Sequence, residues 1–336
     1  MAVRVGINGL GRIGKGIISA WISRNFEGLE IVAVNDMIEI GAMTHLLKYD
    51  SVHGRIKAEV QGEGNSLSVG GRKIQLSSSR DPKEIPWGKN GVDIVLECTG
   101  FFTDKSKASA HLRDSVKKVI ISAPSKDPDA TIVMGVNEKT YQPDKHQILS
   151  NASCTTNCLA TTAKVLNDEF GIERGFMTTI HSYTNDQQIL DKYHPDFRRA
   201  RAGGLSMIPT TTGAAKSIGV VLPELAGKLD GLAIRVPTPN VSIVDLVASL
   251  KKKTTPKEIN DAFRRAAAGP MKGILTCSDG PLVSSDFNGT SESAIIDTQL
   301  TSIVEGGLAK VLAWYDNETG FSNRMLDLVG FIARSL

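Results

Sequence analysis

The sequence predicts an α/β chain: a Rossmann-type doubly wound parallel sheet, followed by an α+β domain on a mixed sheet. Three observations predict it. Residues 3–7 are an apolar strand pattern, glycines follow, a helix pattern runs to about Asn25, and residues 29–34 form a second strand pattern. Strand, helix, strand in this order implies parallel strands joined by a right-handed crossover. Residues 92–97 and 116–121 then repeat the buried parallel-strand type. Beyond about residue 170 the strand-like segments 177–181, 232–236, 242–250 and 309–315 are longer, which suggests a mixed or antiparallel sheet with helices on one face.

The remaining elements fit this frame. A helix pattern passes through His45, Leu46 and Leu47. Between 51 and 80, short alternating segments broken by Gly62, Gly64-Asn65 and Gly70-Gly71 read as hairpins inserted into the α/β frame. Residues 147–150 are apolar and lead into a helix pattern from Leu159 to Phe170. The basic run Lys251-Lys252-Lys253 precedes a helix start, with Thr255 as N-cap, Pro256 at the first helical position and Glu258 closing a capping box. The tail ends in a helix carrying Met325, Leu326, Leu328, Val329 and Ile332. Residues 183–203 show no period and carry Arg198, Arg199 and Arg201. An irregular stretch of that length is usually functional, and a neighbouring subunit is one source of partners for its charges. At 336 residues the chain can hold two cores. The expected division is a dinucleotide-binding domain, 1–153 with 317–336, and a catalytic domain, 154–316.

Composition narrows the function classes. A formal net charge of +3 gives no electrostatic case for nucleic acid or an anionic membrane. No apolar run approaches membrane-spanning length, and the first residues lead straight into a strand pattern rather than a leader. The four cysteines, 98, 154, 158 and 277, form no C-x-x-C pair, no disulfide framework and no metal set. Cys98 and Cys277 are expected to be buried and inert, and Cys158 a packed small residue four positions after Cys154. These features point to a cytoplasmic chain with reduced thiols.

Two motifs carry chemistry. The first is G-x-G-x-x-G at Gly9, Gly11 and Gly14, after a strand and opening a helix. The glycines permit the tight turn, the approach of a pyrophosphate and close helix packing. Asp36 follows at the next strand end, placed to bind a ribose 2′-hydroxyl and repel a 2′-phosphate. This is a Rossmann-type site that favours NAD over NADP. The second is Ala152-Ser153-Cys154-Thr155-Thr156-Asn157-Cys158, which puts Cys154 at the first turn of a helix. Unpaired N–H groups and the helix dipole there favour a thiolate. A nucleophilic sulfur beside a hydride acceptor suggests oxidation of an aldehyde through a thioester. The base is expected at His181, at the end of the strand 177–181. Arg235 ends another strand and is either a salt-bridge partner or a phosphate anchor. Thr210-Thr211-Thr212-Gly213 opens a helix, as an anion site or a plain cap.

Together, Ile7-Asn8-Gly9 with Gly11-Arg12-Ile13-Gly14, the 152–158 segment, residues 179–181, Thr212-Gly213-Ala214-Ala215, residues 235–240 and Trp314-Tyr315-Asp316-Asn317-Glu318-Thr319-Gly320 resemble phosphorylating glyceraldehyde-3-phosphate dehydrogenase of the bacterial type. The similarity spans essentially the whole chain. It implies that Cys154 attacks the aldehyde of glyceraldehyde 3-phosphate and that His181 lowers the thiol pKa, serves as general base and bonds the oxyanion, with the Cys154 N–H as a second donor. It implies NAD as cofactor and inorganic phosphate as the second substrate, giving 1,3-bisphosphoglycerate. One anion site would use Thr184 and Arg235. The other would use Ser153, Thr155, Thr212 and Gly213, with Arg201 nearby. Arg12 and Ile13 would lie under the pyrophosphate, Arg80 near the adenine, and Ser122 and Asn317 at the nicotinamide end. A homotetramer is implied, with the 182–201 stretch as the loop lining the neighbour's cofactor site. Leu10 and Phe321 replace common aromatics, and Lys192-Tyr193 stands where a lysine could tolerate a 2′-phosphate. Asp186-Gln187-Gln188 and Tyr193-His194-Pro195-Asp196 are similar instead to erythrose-4-phosphate dehydrogenase. Thr184, Thr212 and Gly213 argue for the phosphorylating enzyme.

Overall fold

The computed structural model describes residues 2–336, which form two compact units. Of the described residues, the first comprises 2–132, 138–152 and 322–336, and the second 133–137 and 153–321.

A nine-stranded sheet organises the first unit, with Val3–Asn8 at its centre. Leu29–Asn35 pairs parallel on one side and Ile94–Glu97 on the other. Lys118–Ile121, Ile148–Ser150 and Ala130–Thr131 continue the parallel run beyond Ile94–Glu97. The central strands are apolar at almost every position because helices cover parallel sheets on both faces: Val5, Ile7, Ile94, Val95, Leu96 and Val119 are all 0% exposed. The hairpin segments extend this sheet rather than interrupt it. Arg72–Ser77 pairs parallel with Leu29–Asn35, and the antiparallel strands Ser66–Val69 and Val60–Glu63 finish that edge. The helix Arg12–Arg24 buries Ile17, Ile18 and Trp21 and ends at Asn25, which takes the left-handed conformation at φ 44°.

An eight-stranded mixed sheet organises the second unit. Its long strand Ile172–Ser182 pairs parallel with Leu229–Val236 and antiparallel with Ser242–Leu250. Leu308–Tyr315 follows, antiparallel to Ser242–Leu250. The helix Cys154–Phe170 packs on this sheet, burying Leu159, Ala160, Ala163 and Leu166. Alternation along Ile172–Ser182 puts Met177, Thr179 and His181 on the buried side, while Phe176 is 70% exposed on the other. The capping box at Pro256–Ala268 is complete: Thr255 Oγ1 accepts from the Glu258 amide, and Glu258 accepts from the Thr255 amide at 2.9 Å. Thr255→Ala is expected to cost about 1 kcal/mol of stability, read as a lower denaturation midpoint.

The 183–203 segment is irregular but not short of partners. Arg199 bonds Asp186 at 2.6 Å, Arg201 bonds Asp191 at 2.7 Å, and Gln188 bridges to Ala202. Arg199 and Arg201 are therefore paired within the chain, and apolar side chains such as Ile189, Tyr193 and Phe197 are exposed beside them.

Candidate active site

In the first unit, every residue singled out for the dinucleotide follows the carboxyl end of a parallel strand, the edge where α/β sheets bind ligands. Gly9 follows Val3–Asn8, Asp36 follows Leu29–Asn35, Arg80 follows Arg72–Ser77 and Ser122 follows Lys118–Ile121. Gly9 has φ +95°, and a Cβ there would lie 2.8 Å from the Thr99 amide. A Cβ on Gly14 would lie 2.2 Å from the Gly9 carbonyl oxygen, so only glycine lets the helix sit this close. Gly11 differs: nothing lies within 4 Å of where its Cβ would be. It is the N-cap of Arg12–Arg24, and no side chain caps that helix there. An uncapped helix N-terminus over an open glycine fits a pyrophosphate. Asp36 accepts from the Leu10 amide at 2.5 Å and the Ile38 amide at 3.0 Å, so its carboxylate holds the glycine turn. The Arg12 guanidinium pairs with Asp50. Burial would raise the Asp50 carboxyl, but the Arg12 bond, the His53 and Val52 amides and the Arg12 charge hold it well below the usual carboxylate range.

In the second unit, Ser153 caps the helix Cys154–Phe170, its Oγ accepting from the Thr156 amide at 3.0 Å. Cys154 is therefore the first helical residue. Its Sγ is 3.6 Å from His181 Nε2. His181 and Arg235 are register neighbours on paired strands, which explains their proximity. His181 Nδ1 lies 2.7 Å from the Ser182 carbonyl and 2.6 Å from Arg235 Nη1. A carbonyl requires a proton on Nδ1, whereas a guanidinium, which only donates, requires a lone pair there. The two neighbours thus call for opposite tautomers.

The expectation of a favoured thiolate needs correction. The helix terminus is present, but burial pushes the Cys154 thiol up, against the Arg235 charge and the Thr155 and Cys154 hydrogen bonds that pull it down. Burial, and then the Arg235 charge, push His181 down to about 3. Proton transfer from Sγ to Nε2 nevertheless leaves the pair with no net charge, so the two groups titrate as one unit.

Tyr315 was not singled out as a site residue. Its hydroxyl bonds Thr155 Oγ1 at 2.9 Å and Thr179 Oγ1 at 2.8 Å, and its ring stands edge-on to His181 with centroids 6.0 Å apart. It braces the residues after Cys154 and before His181 together. The signal was present in the alternation of the strand 309–315, which turns Tyr315 inward. Asn317 Oδ1 accepts from Ser182 Oγ at 2.9 Å and Ser242 Oγ at 3.0 Å, turning its amide nitrogen away from both.

Thr212 and Gly213 open the helix Ala214–Val221, with Gly213 as N-cap and Thr212 Oγ1 accepting from the Ala214 amide at 3.2 Å. The Thr184 amide donates to Gln187 Oε1 at 3.2 Å. Arg201 is held by Asp191 and is 65% exposed, whereas Arg199 reaches Thr210 Oγ1 at 3.0 Å and the Thr211 carbonyl at 3.3 Å. Arg199 is thus bonded to the two residues preceding Thr212. Three tightly spaced arginines in an irregular segment gave no periodicity to separate them. Cys158 is buried, its Sγ 3.6 Å from the Ala313 carbonyl, while Cys98 and Cys277 are partly exposed rather than buried. Burial still pushes their thiols up, to about 12 and about 11.

Residues 3–105 match the NAD binding domain of glyceraldehyde 3-phosphate dehydrogenase, and residues 153–317 match its C-terminal domain. Similar curated proteins include glyceraldehyde-3-phosphate dehydrogenase 1 of Bacillus subtilis strain 168, 58% identical over 334 residues and covering 99% of each chain. The glyceraldehyde-3-phosphate dehydrogenase of Geobacillus stearothermophilus is 57% identical over 333 residues, 99% of each chain. That of Streptomyces coelicolor is 52% identical over 337 residues and covers all of both. Two domain matches in order, full-length similarity and a cysteine–histidine pair at a helix N-terminus agree: the chain belongs to the glyceraldehyde-3-phosphate dehydrogenase family.

Proposed function

We propose that this chain oxidises D-glyceraldehyde 3-phosphate with NAD and inorganic phosphate to 1,3-bisphosphoglycerate, through a thioester on Cys154. The observation that carries this reading is the Cys154–His181 pair, 3.6 Å apart at a helix N-terminus with Arg235 against the imidazole. Gly9, Gly11, Arg12, Ile13, Gly14, Asp36, Arg80, Ser122 and Asn317 would hold NAD, which when bound would supply the hydride acceptor. The proposed division assigns it to residues 1–153 with 317–336 and the covalent chemistry to residues 154–316.

Cys154 Sγ bonds the aldehyde carbon as its thiol proton passes to His181 Nε2, and the carbonyl oxygen becomes the hemithioacetal oxygen. The Cys154 amide and His181 Nε2–H stabilise that oxygen while it carries charge. Nε2 gives its proton to that oxygen as the hemithioacetal completes; on oxidation the hydroxyl proton passes back to Nε2, and the C–H bonding pair leaves as hydride to the nicotinamide acceptor, giving the thioester. A phosphate oxygen then bonds the thioester carbon, and the C–S bond breaks to release the acyl phosphate and the Cys154 thiolate.

Arg235 links substrate binding to the base. To accept the thiol proton, Nε2 needs its lone pair, which requires the proton on Nδ1, donated to the Ser182 carbonyl. Arg235 bonded to Nδ1 opposes that tautomer. A substrate phosphate bound by Arg235 and Thr184 draws the guanidinium off Nδ1 and neutralises the charge that depresses His181. The second phosphate is assigned to Ser153, Thr155, Thr212 and Gly213, with Arg201 nearby and Arg199 bonded to the adjoining Thr210 and Thr211. The Ser153 and Thr155 hydroxyls already bond Thr156 and Tyr315, and each retains capacity for a further bond.

The assembly is proposed to be a homotetramer. The 183–207 region supports this, exposing Ile189 at 89%, Tyr193 at 81%, Phe197 at 82% and Leu205 at 81%, a density of apolar side chains typical of interaction sites. Light scattering is expected to give four times the chain mass. A cytoplasmic location accords with reduced thiols, and no helix among the described residues is long and apolar enough to cross a membrane.

The test is NADH formation from glyceraldehyde 3-phosphate, with and without inorganic phosphate, with erythrose 4-phosphate in parallel. Phosphate-dependent turnover of the triose is expected; preference for the tetrose without a phosphate requirement would reassign the enzyme. Asp36→Ala is expected to lower the preference for NAD over NADP by about tenfold, measured as the ratio of kcat/KM values.

A further inference from the structure

Four adjacent strands of the first unit end in polar residues at matching register positions: Ser77, Asn35, Asn8 and Glu97. Asn35, Asn8 and Glu97 are 4%, 2% and 1% exposed. Buried polar groups at consecutive strand ends must satisfy one another, and here the strand-to-strand links run in one direction. The Ser79 amide donates to Asn35 Oδ1 at 2.9 Å. Asn35 Nδ2 donates to Asn8 Oδ1 at 2.8 Å, and Asn8 Nδ2 donates to Glu97 Oε2 at 2.6 Å. From the other side the Trp87 indole donates to His111 Nδ1 at 3.1 Å. An indole only donates, so the His111 proton is on Nε2, which faces Glu97 Oε2 at 3.1 Å. The Thr99 amide and hydroxyl both donate to Glu97 Oε1. The links between strands, Asn35 to Asn8 and Asn8 to Glu97, therefore both point to one acceptor-only carboxylate, and with the second Asn35 Nδ2 bond to the Ser79 carbonyl at 2.9 Å this fixes which way both asparagine amides face.

The loops that leave these strand ends carry the dinucleotide residues. Gly9 N donates to the Asn35 carbonyl at 2.8 Å, Asp36 N to the Ser77 carbonyl at 3.1 Å, and Ser122 N to the Glu97 carbonyl at 3.0 Å. We infer that Glu97 is a positioning residue for the cofactor. As the terminus of this directed chain, it sets the spacing of the strand ends from which the NAD-binding loops spring, and so sets NAD affinity. This rests on the reading of residues 9–14 and Asp36 as the dinucleotide site.

Glu97→Gln is nearly isosteric but puts an –NH₂ against either the Thr99 amide or the Asn8 and His111 donors. Asn35→Asp opposes two acceptors, Asn8 Oδ1 and the Ser79 carbonyl, from the far end. Each variant is expected to bind NADH about tenfold more weakly in a fluorescence titration. In the Glu97→Gln/Asn35→Asp double variant the carboxylate sits at the opposite end, the asparagine link can reverse, and affinity should recover relative to the product of the single losses. If Glu97→Gln does not fold, Asn35→Asp alone tests the chain. A folded Glu97→Gln or Asn35→Asp protein that binds NADH as tightly as wild type would overturn the inference, as would a double variant showing only the product of the single effects. Gly11→Val, which fills the open space at the glycine turn, separates the two readings. If it leaves NADH binding intact, the dinucleotide site itself is misplaced; if it abolishes binding while Glu97→Gln does not, only the belt is.

Discussion

Cys154→Ser is expected to lower phosphate-dependent NADH formation from glyceraldehyde 3-phosphate by about 10³-fold or more, with NADH affinity within about twofold of wild type. The variant keeps the cap and the shape of the site, since Ser153 Oγ, not the Cys154 side chain, holds the Thr156 amide. What it loses is the thiol proton that His181 can take. A serine hydroxyl is far less acidic than a thiol, and an imidazole pushed down to about 3 by burial and Arg235 is a weak base for it. An oxygen ester would also be a poorer acyl donor to phosphate than the thioester. Cofactor affinity should survive because the glycine turn and Asp36 belong to the first unit and take no support from Sγ. Turnover within tenfold of wild type would rule out the covalent route. Loss of NADH binding in parallel would mean that the cysteine acts by shaping the cofactor site.

How much of this was legible in the chain depended on how local the signal was. The glycine turn, the place of Cys154 at a helix start and the N-cap at Thr255 were readable because each is set by residues within one helical turn. The strand carrying His181 was readable from its alternation. The partnership of His181 with Arg235 is a fact of parallel register between segments more than fifty residues apart, and no local pattern encodes register. The same is true of Tyr315, whose two threonine partners come from the helix and strand that carry the reactive pair. The belt ending at Glu97 was hidden for a different reason. Asn8, Asn35 and Glu97 each end an apolar strand, where a polar residue reads as the start of a loop, and only the pairing of three strands shows that they face one another. The direction of the Cys154 shift was misjudged because a helix terminus can be read from sequence and burial cannot. The terminus favours a thiolate, but the surrounding core penalises it more.

His181→Asn is expected to reduce kcat by about 10²–10⁴-fold and to move the pH profile of Cys154 alkylation by iodoacetamide to higher pH. In the wild-type pair a proton can pass from Sγ to Nε2 without adding net charge to a buried site, so thiolate is available while the pair keeps its one shared proton. Adding a second proton would place a positive charge in a buried site beside Arg235, and burial first, then that charge, depress the imidazole to about 3. Asparagine cannot take the proton. The thiol then ionises only against burial, which pushes it up, with Arg235 and the local amides in partial compensation, and the alkylation curve shifts upward. Stability should respond with a definite sign. His181 has a folded-state pKa of about 3 against an ordinary 6.5, so between these values the unfolded chain binds the extra proton and the folded chain does not. This group therefore removes stability as pH falls through that window, and its contribution levels off below about 3. His181→Asn should lose less stability than wild type between pH 6.5 and the lowest pH at which both fold. An alkylation profile unchanged by His181→Asn would show that the helix terminus and Arg235 alone set the reactivity of Cys154, with His181 left to act only on the hemithioacetal.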